Sequence, residues 1–241
     1  MALLHRTDLT PSKLELLTGW IFDRPWYHGP ATGEVVRIGA YRFDDPAGEV
    51  GIETIFVQTG DAVVLQIPLT YRGAPLVGGE QWLIGTMQHS VLGERWVYDA
   101  VGDPVYLAAV ASAALTGGVQ AEQYLEIDGE RVVREPTARV VGDGQFGTPT
   151  PSVPPIDAVS TRHEGATTIG DAGEFSVTVV RQFHTSGAAE TNGTADTLVS
   201  DSTTSQASAV VETPSAVLSG AWTSQPEPQP LVFVTLGSPT L

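Results

Sequence analysis

The chain has no cysteine, so disulfides, thiolate metal sites and thiol chemistry are excluded. It has one lysine, Lys13, and a formal charge of −16, with 28 acidic residues against 12 basic ones. Contacts to a phosphate backbone need a basic stripe, so no nucleic-acid partner is expected. Long apolar runs and polybasic amphipathic segments are also missing, so no membrane partner is expected. The opening MALLHRTDLTPSK turns polar too soon for a signal peptide, and a cytoplasmic location is expected. The familiar catalytic motifs are missing as well: no GxSxG elbow, HExxH helix, GxxxxGK[ST] loop or GxGxxG turn. Five histidines are scattered singly, and His163-Glu164 is the only pair of a histidine with a neighbouring carboxylate. No cofactor, metal site or catalytic residue is expected.

What is present is enough apolar sequence for a sizeable core, in 241 residues. Thr10-Pro11 followed by LELLTGWI predicts a first helix, with Thr10 as cap and Pro11 in the first turn. Strand-like runs follow at 35–43, 51–59 and 62–72, then EQWLIGTMQHS and GERWVYDAV. An antiparallel meander with helices packed on it is the natural arrangement.

The stretch WVYDAVGDPVYLAAVASAALTGG, Trp96 to Gly118, carries two carboxylates four residues apart, Asp99 and Asp103. They raise the question of an acid/base or metal pair. Asp103 precedes Pro104, an apolar stripe runs through Leu107, Val110, Ala111, Ala114 and Leu115, and Gly117-Gly118 follows. That is the pattern of an N-cap, a proline at the first helical position and a glycine stop. Asp103 is therefore read as a structural cap and Asp99 as a turn former. Capping alone implies that Asp103→Ala costs about 0.5–2 kcal/mol and that Asn or Ser would be nearly silent.

Beyond the helix, residues 121–135 read as a hairpin turning at Asp128-Gly129. A Gly/Pro-rich linker spans 141–157, strand pieces fall at 174–183 and 230–236, and a mobile polar loop is expected over 185–208. Trp20, Trp82 and Trp96 read as core. Trp26, Tyr27 and His28, lodged among Pro25, Gly29 and Pro30, are the candidate exposed surface for a partner or a sugar.

In order, LLTGWIFDRPWY, VVLQIPLTYRGAPL and VYDAVGDPVYLAAVAS resemble the N-terminal cap of actinobacterial maltokinases, enzymes that phosphorylate maltose on a route from trehalose to α-glucan. The resemblance implies an α+β fold: an antiparallel β-sheet cap with packed helices over 1–118, then a mainly β, degenerate remnant of a kinase small lobe over 119–241. Within that remnant EGATTIGDAGEFSVTVVRQF, residues 164–183, has the shape of a nucleotide-lobe hairpin, and Thr178 falls where the phosphate-binding lysine would stand. A large helical lobe that would supply a catalytic Asp and metal ligands is missing from the pattern. The resemblance therefore implies a freestanding, non-catalytic partner or regulatory protein of trehalose, maltose or α-glucan metabolism. It leaves open a protein partner, self-association, a carbohydrate-binding module and an α-glucan-acting enzyme of another type.

Overall fold

A computed structural model of the protein describes residues 2–4, 8–60, 63–127, 130–184 and 214–237. In chain order the elements are β1 (Ala2–Leu4), β2 (Leu9–Thr10), α1 (Lys13–Ile21), β3 (Val35–Phe43), β4 (Gly51–Thr59), β5 (Val63–Arg72), β6 (Leu83–His89), β7 (Gly93–Asp99), α2 (Pro104–Thr116), β8 (Gln123–Ile127), β9 (Glu130–Arg134), β10 (Ala138–Gly142), β11 (Ser160–Glu164), β12 (Thr167–Asp171), β13 (Phe175–Val180), β14 (Gln182–His184), β15 (Ala216–Trp222) and β16 (Gln225–Leu236). With two α-helices among the described residues, the fold is mostly β, so the antiparallel sheets expected are present while the α+β class expected for the cap is less marked. Strands outnumber expectation because the short segments β10, β11 and β15 also pair in the second sheet.

Sheet one runs β2-β6-β7-β5-β4-β3, and β14 pairs with β5 beside it. Its long members are rich in β-branched and aromatic residues, which suit a pleated surface covered on both sides. Ile55, Val57, Leu65, Ile67 and Leu69 point to one face and meet Leu17 and Ile21 of α1. Tyr41, Phe43, Ile52, Phe56 and Val64 point to the other. That second face packs toward sheet two, β10-β15-β16-β13-β12-β11. Helix α2 lies on the inner face of sheet two, against β10, β13, β15 and β16. It is buried nearly all round, which explains its run of alanines: small side chains let strands approach it on several sides.

Local signals set the helix ends. Helix α1 is capped by Ser12, not Thr10, and Pro11 lies before the helix rather than in its first turn. Ser12 Oγ accepts from Glu15 N while Ser12 N donates to Glu15 Oε2, the reciprocal capping box. Helix α2 stops at Gly117, whose φ of 70° is a left-handed conformation that glycine adopts without steric cost.

The segments 1–118 and 119–241 share hydrogen bonds and core. After β13 the chain turns at Arg181 and enters sheet one as β14, so the expected strand 174–183 is split between the two sheets. The side chain of Gln66, fully buried, donates to the carbonyls of Val180 and Leu231, and its backbone N donates to Arg181 O. Near the other end of the chain, β1 runs parallel to β8 in a three-stranded sheet with β9. The β8–β9 hairpin is present, while its Asp128-Gly129 turn and the loop over 185–208 lie outside the described residues.

Candidate functional site

Strand β7 ends at Asp99, a 3-10 turn covers Ala100–Gly102, and Asp103 then starts α2. The turn packs flat against an indole: a Cβ on Gly102 would lie 2.0 Å from the ring of Trp82, so only glycine fits. This junction sits between the two sheets and puts both carboxylates inside the protein.

Asp103 is fully buried, and each of its oxygens takes two donors. Oδ1 accepts from Val105 N at 3.0 Å and Arg72 Nη2 at 2.7 Å. Oδ2 accepts from Arg72 Nε at 2.8 Å and Thr70 Oγ1 at 2.7 Å. It caps the helix and also anchors β5 through a two-pronged arginine contact. Asparagine would keep the cap but lose the charge facing Arg72, so the expectation that Asn is silent gives way to a real cost.

Asp99 does more than shape a turn. Both its oxygens lie 2.7 Å from Arg181 Nη2, and Oδ1 also accepts from Val101 N at 3.4 Å. Arg181 is fully buried, donates from Nε to Thr168 Oγ1 at 2.8 Å, and lies 5.0 Å above the ring of Trp26. A charged side chain is tolerated there only because it is paired. The pair ties β7 of sheet one to the point where β13 becomes β14.

Around this pair opens a polar cleft of about 130 Å3, bounded by Trp20, Arg24, Trp26, Gln81, Trp82, Asp99, Thr161, His163 and Thr168. Three of the five tryptophans of the chain border it. Trp20 and Trp26 pack at 5.7 Å, the Arg24 guanidinium lies 5.1 Å from the Trp20 ring, and Trp82 Nε1 donates to Thr161 Oγ1 at 3.0 Å. His163 Nδ1 is 3.1 Å from Thr168 Oγ1. Burial and then the charge of Arg181 push the His163 pKa below its ordinary value, against the opposing pull of Asp99.

The sequence singled out Trp26, Tyr27 and His28 as an exposed surface, and the first two are corrected. Trp26 has no exposed area and Tyr27 keeps 9 %. The segment after α1 folds back on the sheet: Tyr27 meets Phe22 edge-on at 5.4 Å and donates through its hydroxyl to Pro30 O, and His28 N donates to Gln182 Oε1 of β14. His28 alone of the three stays at the surface. Trp82 is core as expected, although it ends a 3-10 turn (Glu80–Trp82) rather than lying on a strand, while Trp20 and Trp96 are half-buried and packed against the core.

The only lysine is committed elsewhere. Lys13 Nζ pairs with Glu53 beneath α1, 4.8 Å from the Tyr71 ring, and Arg37 lies 3.5 Å from the same carboxylate. Burial pushes the Glu53 pKa up, but Lys13, Arg42 and Arg37 outweigh it and hold the group at about 2. Thr178 is half-buried in β13, on the face opposite Val177 and Val179. Among the described residues no three His, Asp or Glu side chains gather as a metal site, and no helix is long and apolar enough to cross a membrane.

Sequence reasoning missed Arg181, Arg72 and Arg24. The one available signal was the buried setting of Arg181 inside the strand-like run VTVVRQF, where a cation needs a counter-charge.

No curated protein matches the chain. From Trp20 in the last turn of α1, through sheet one, to Asp103 at the start of α2, residues 20–103 match the family model of the maltokinase N-terminal cap domain, and this part of the chain is a segment similar to that cap.

Proposed function

We propose that the protein is a non-catalytic accessory or regulatory component of trehalose, maltose or α-glucan metabolism. The cap match over residues 20–103 supports the metabolic link. The observation that carries the non-catalytic half is the placement of Lys13. Phosphoryl transfer relies on a lysine and metal ions to position and neutralise the phosphates. Here the only lysine is held by Glu53 under α1, and Thr178 stands where the resemblance puts the phosphate lysine.

Two measurements test this reading. Titration calorimetry of the full chain with Mg·ATP should give no binding heat, and a micromolar dissociation constant would overturn the non-catalytic half. Cells lacking the chain should show altered trehalose, maltose or α-glucan pools, and unchanged pools would overturn the metabolic half. The protein-partner version does not use Trp26 and Tyr27, which are core. A sugar module built on their exposed faces has no surface to use.

A further inference from the structure

Three buried donors on side chains around the cleft have no acceptor among the described residues: Trp26 Nε1, Arg24 Nε and Arg181 Nη1. Trp26 and Arg24 border the cleft, and Arg181 backs it, stacked on Trp26. An indole N–H and a guanidinium can only donate, so the partner they lack is an acceptor. A buried donor without a partner is destabilising, and three around one cleft mark a place where the fold tolerates that penalty.

Charge narrows the class. Arg24 and Arg181 bring two positive charges against the single carboxylate of Asp99, whose two oxygens Arg181 Nη2 already engages. Among the described residues Arg24 has no carboxylate within ion-pair distance. The cleft thus keeps an uncompensated cation in a chain of net charge −16. Its other walls are the indoles of Trp20 and Trp82, flat surfaces suited to a compact ring, and the polar side chains of Gln81, Thr161, His163 and Thr168.

We infer that this cleft binds a small oxyanionic metabolite, a phosphate or carboxylate carried on a compact polar ring. Arg24 Nε and Trp26 Nε1 donate to the oxyanion, and the indoles of Trp20 and Trp82 cover the ring. The site goes beyond the accessory role proposed above and does not depend on it: the donors come from the geometry of the seam, not from the family match.

Titration of the full chain, followed by calorimetry and tryptophan fluorescence, uses four probes: glucose 1-phosphate, glucuronate, inorganic phosphate and glucose. Glucose 1-phosphate or glucuronate should bind at least tenfold more tightly than glucose and than inorganic phosphate, with a change in tryptophan emission. The first two probes tell a phosphate site from a carboxylate site. Arg24→Gln keeps the half-buried stem and removes the charge. It should weaken the bound probe at least tenfold while its urea midpoint stays unchanged. Glucose binding as tightly as its phosphate would overturn the oxyanion assignment, and phosphate binding as tightly as its ester would overturn the ring. Absence of heat with every probe, or full affinity in Arg24→Gln, would overturn the site itself.

Discussion

Asp99 and Asp103 stand four residues apart, each buried and each facing one arginine, yet the two pairs are built differently. At Asp103 the arginine uses two nitrogens, Nε and Nη2, on two oxygens, and a threonine hydroxyl and a backbone N–H complete the shell. Neither the carboxylate nor the guanidinium there keeps a buried atom without a partner. At Asp99 a single nitrogen of Arg181 serves both oxygens, its Nε turns to Thr168, and its Nη1 is left over beside the unpartnered N–H groups of Trp26 and Arg24. A closed shell of this kind is structural. An open one, next to a cleft lined by aromatic rings, marks chemistry that the protein does not complete by itself. The lesson lies in the satisfaction of donors, since the two carboxylates themselves are alike in burial and charge.

The contrast can be broken by substitution. The largest loss is expected on the open side. Trp26→Ala removes a fully buried indole and the ring beneath Arg181, and should cost about 3–5 kcal/mol in urea unfolding. A cost below 1 kcal/mol would put Trp26 back on the surface. Asp99→Ala leaves Arg181 buried without a counter-charge and should also cost about 3–5 kcal/mol, because Arg181 has no route to water.

A charge nest away from the seam provides a reference by pH. The Glu53 pKa is depressed to about 2 from its ordinary 4.5, so the stability it contributes is full above pH 4.5 and is lost as pH falls toward 2. That is worth at most about 3 kcal/mol. In Glu53→Gln the acid limb of a stability-against-pH curve should flatten over this window, and an unchanged limb would contradict the assignment.

The smallest effects belong to the closed side. Asp103→Ala should cost about 2–3 kcal/mol, less than Asp99→Ala, since the Arg72 side chain retains 19 % exposure and can turn to solvent. Asp103→Asn keeps the cap and should cost about 1 kcal/mol through the weakened Arg72 contact. If Asn and Ala cost the same, the cap contributes nothing and Arg72 accounts for the whole effect.

Asp103 was legible as a cap because capping is local: Asp-Pro, an apolar stripe and Gly-Gly lie within sixteen residues. Its partner Arg72 lies 31 residues away and Arg181 lies 82 from Asp99, and no local pattern reports a contact of that range. The long strands of sheet one were legible from their β-branched runs and β12 from the hairpin shape of 164–183, whereas β10 and β11 are only five residues each and gain their pairing from sheet two. Trp26 and Tyr27 misled because proline and glycine flank them. Such flanks signal a loop, and loops run over the surface, but this one folds inward under Arg181 and beside β14. The cleft was out of reach for the same reason, since its walls come from four separate stretches of the chain.

The direct test of the closed-versus-open distinction is side-chain nitrogen NMR of the full chain during titration with glucose 1-phosphate or glucuronate. The account predicts that the indole N–H of Trp26 and the Nε–H of Arg24 shift and become protected from exchange, while the Nε–H of Arg72 stays fixed. Equal shifts at Arg72 and Arg24, or no shift at Trp26 with either probe at saturation, would contradict it.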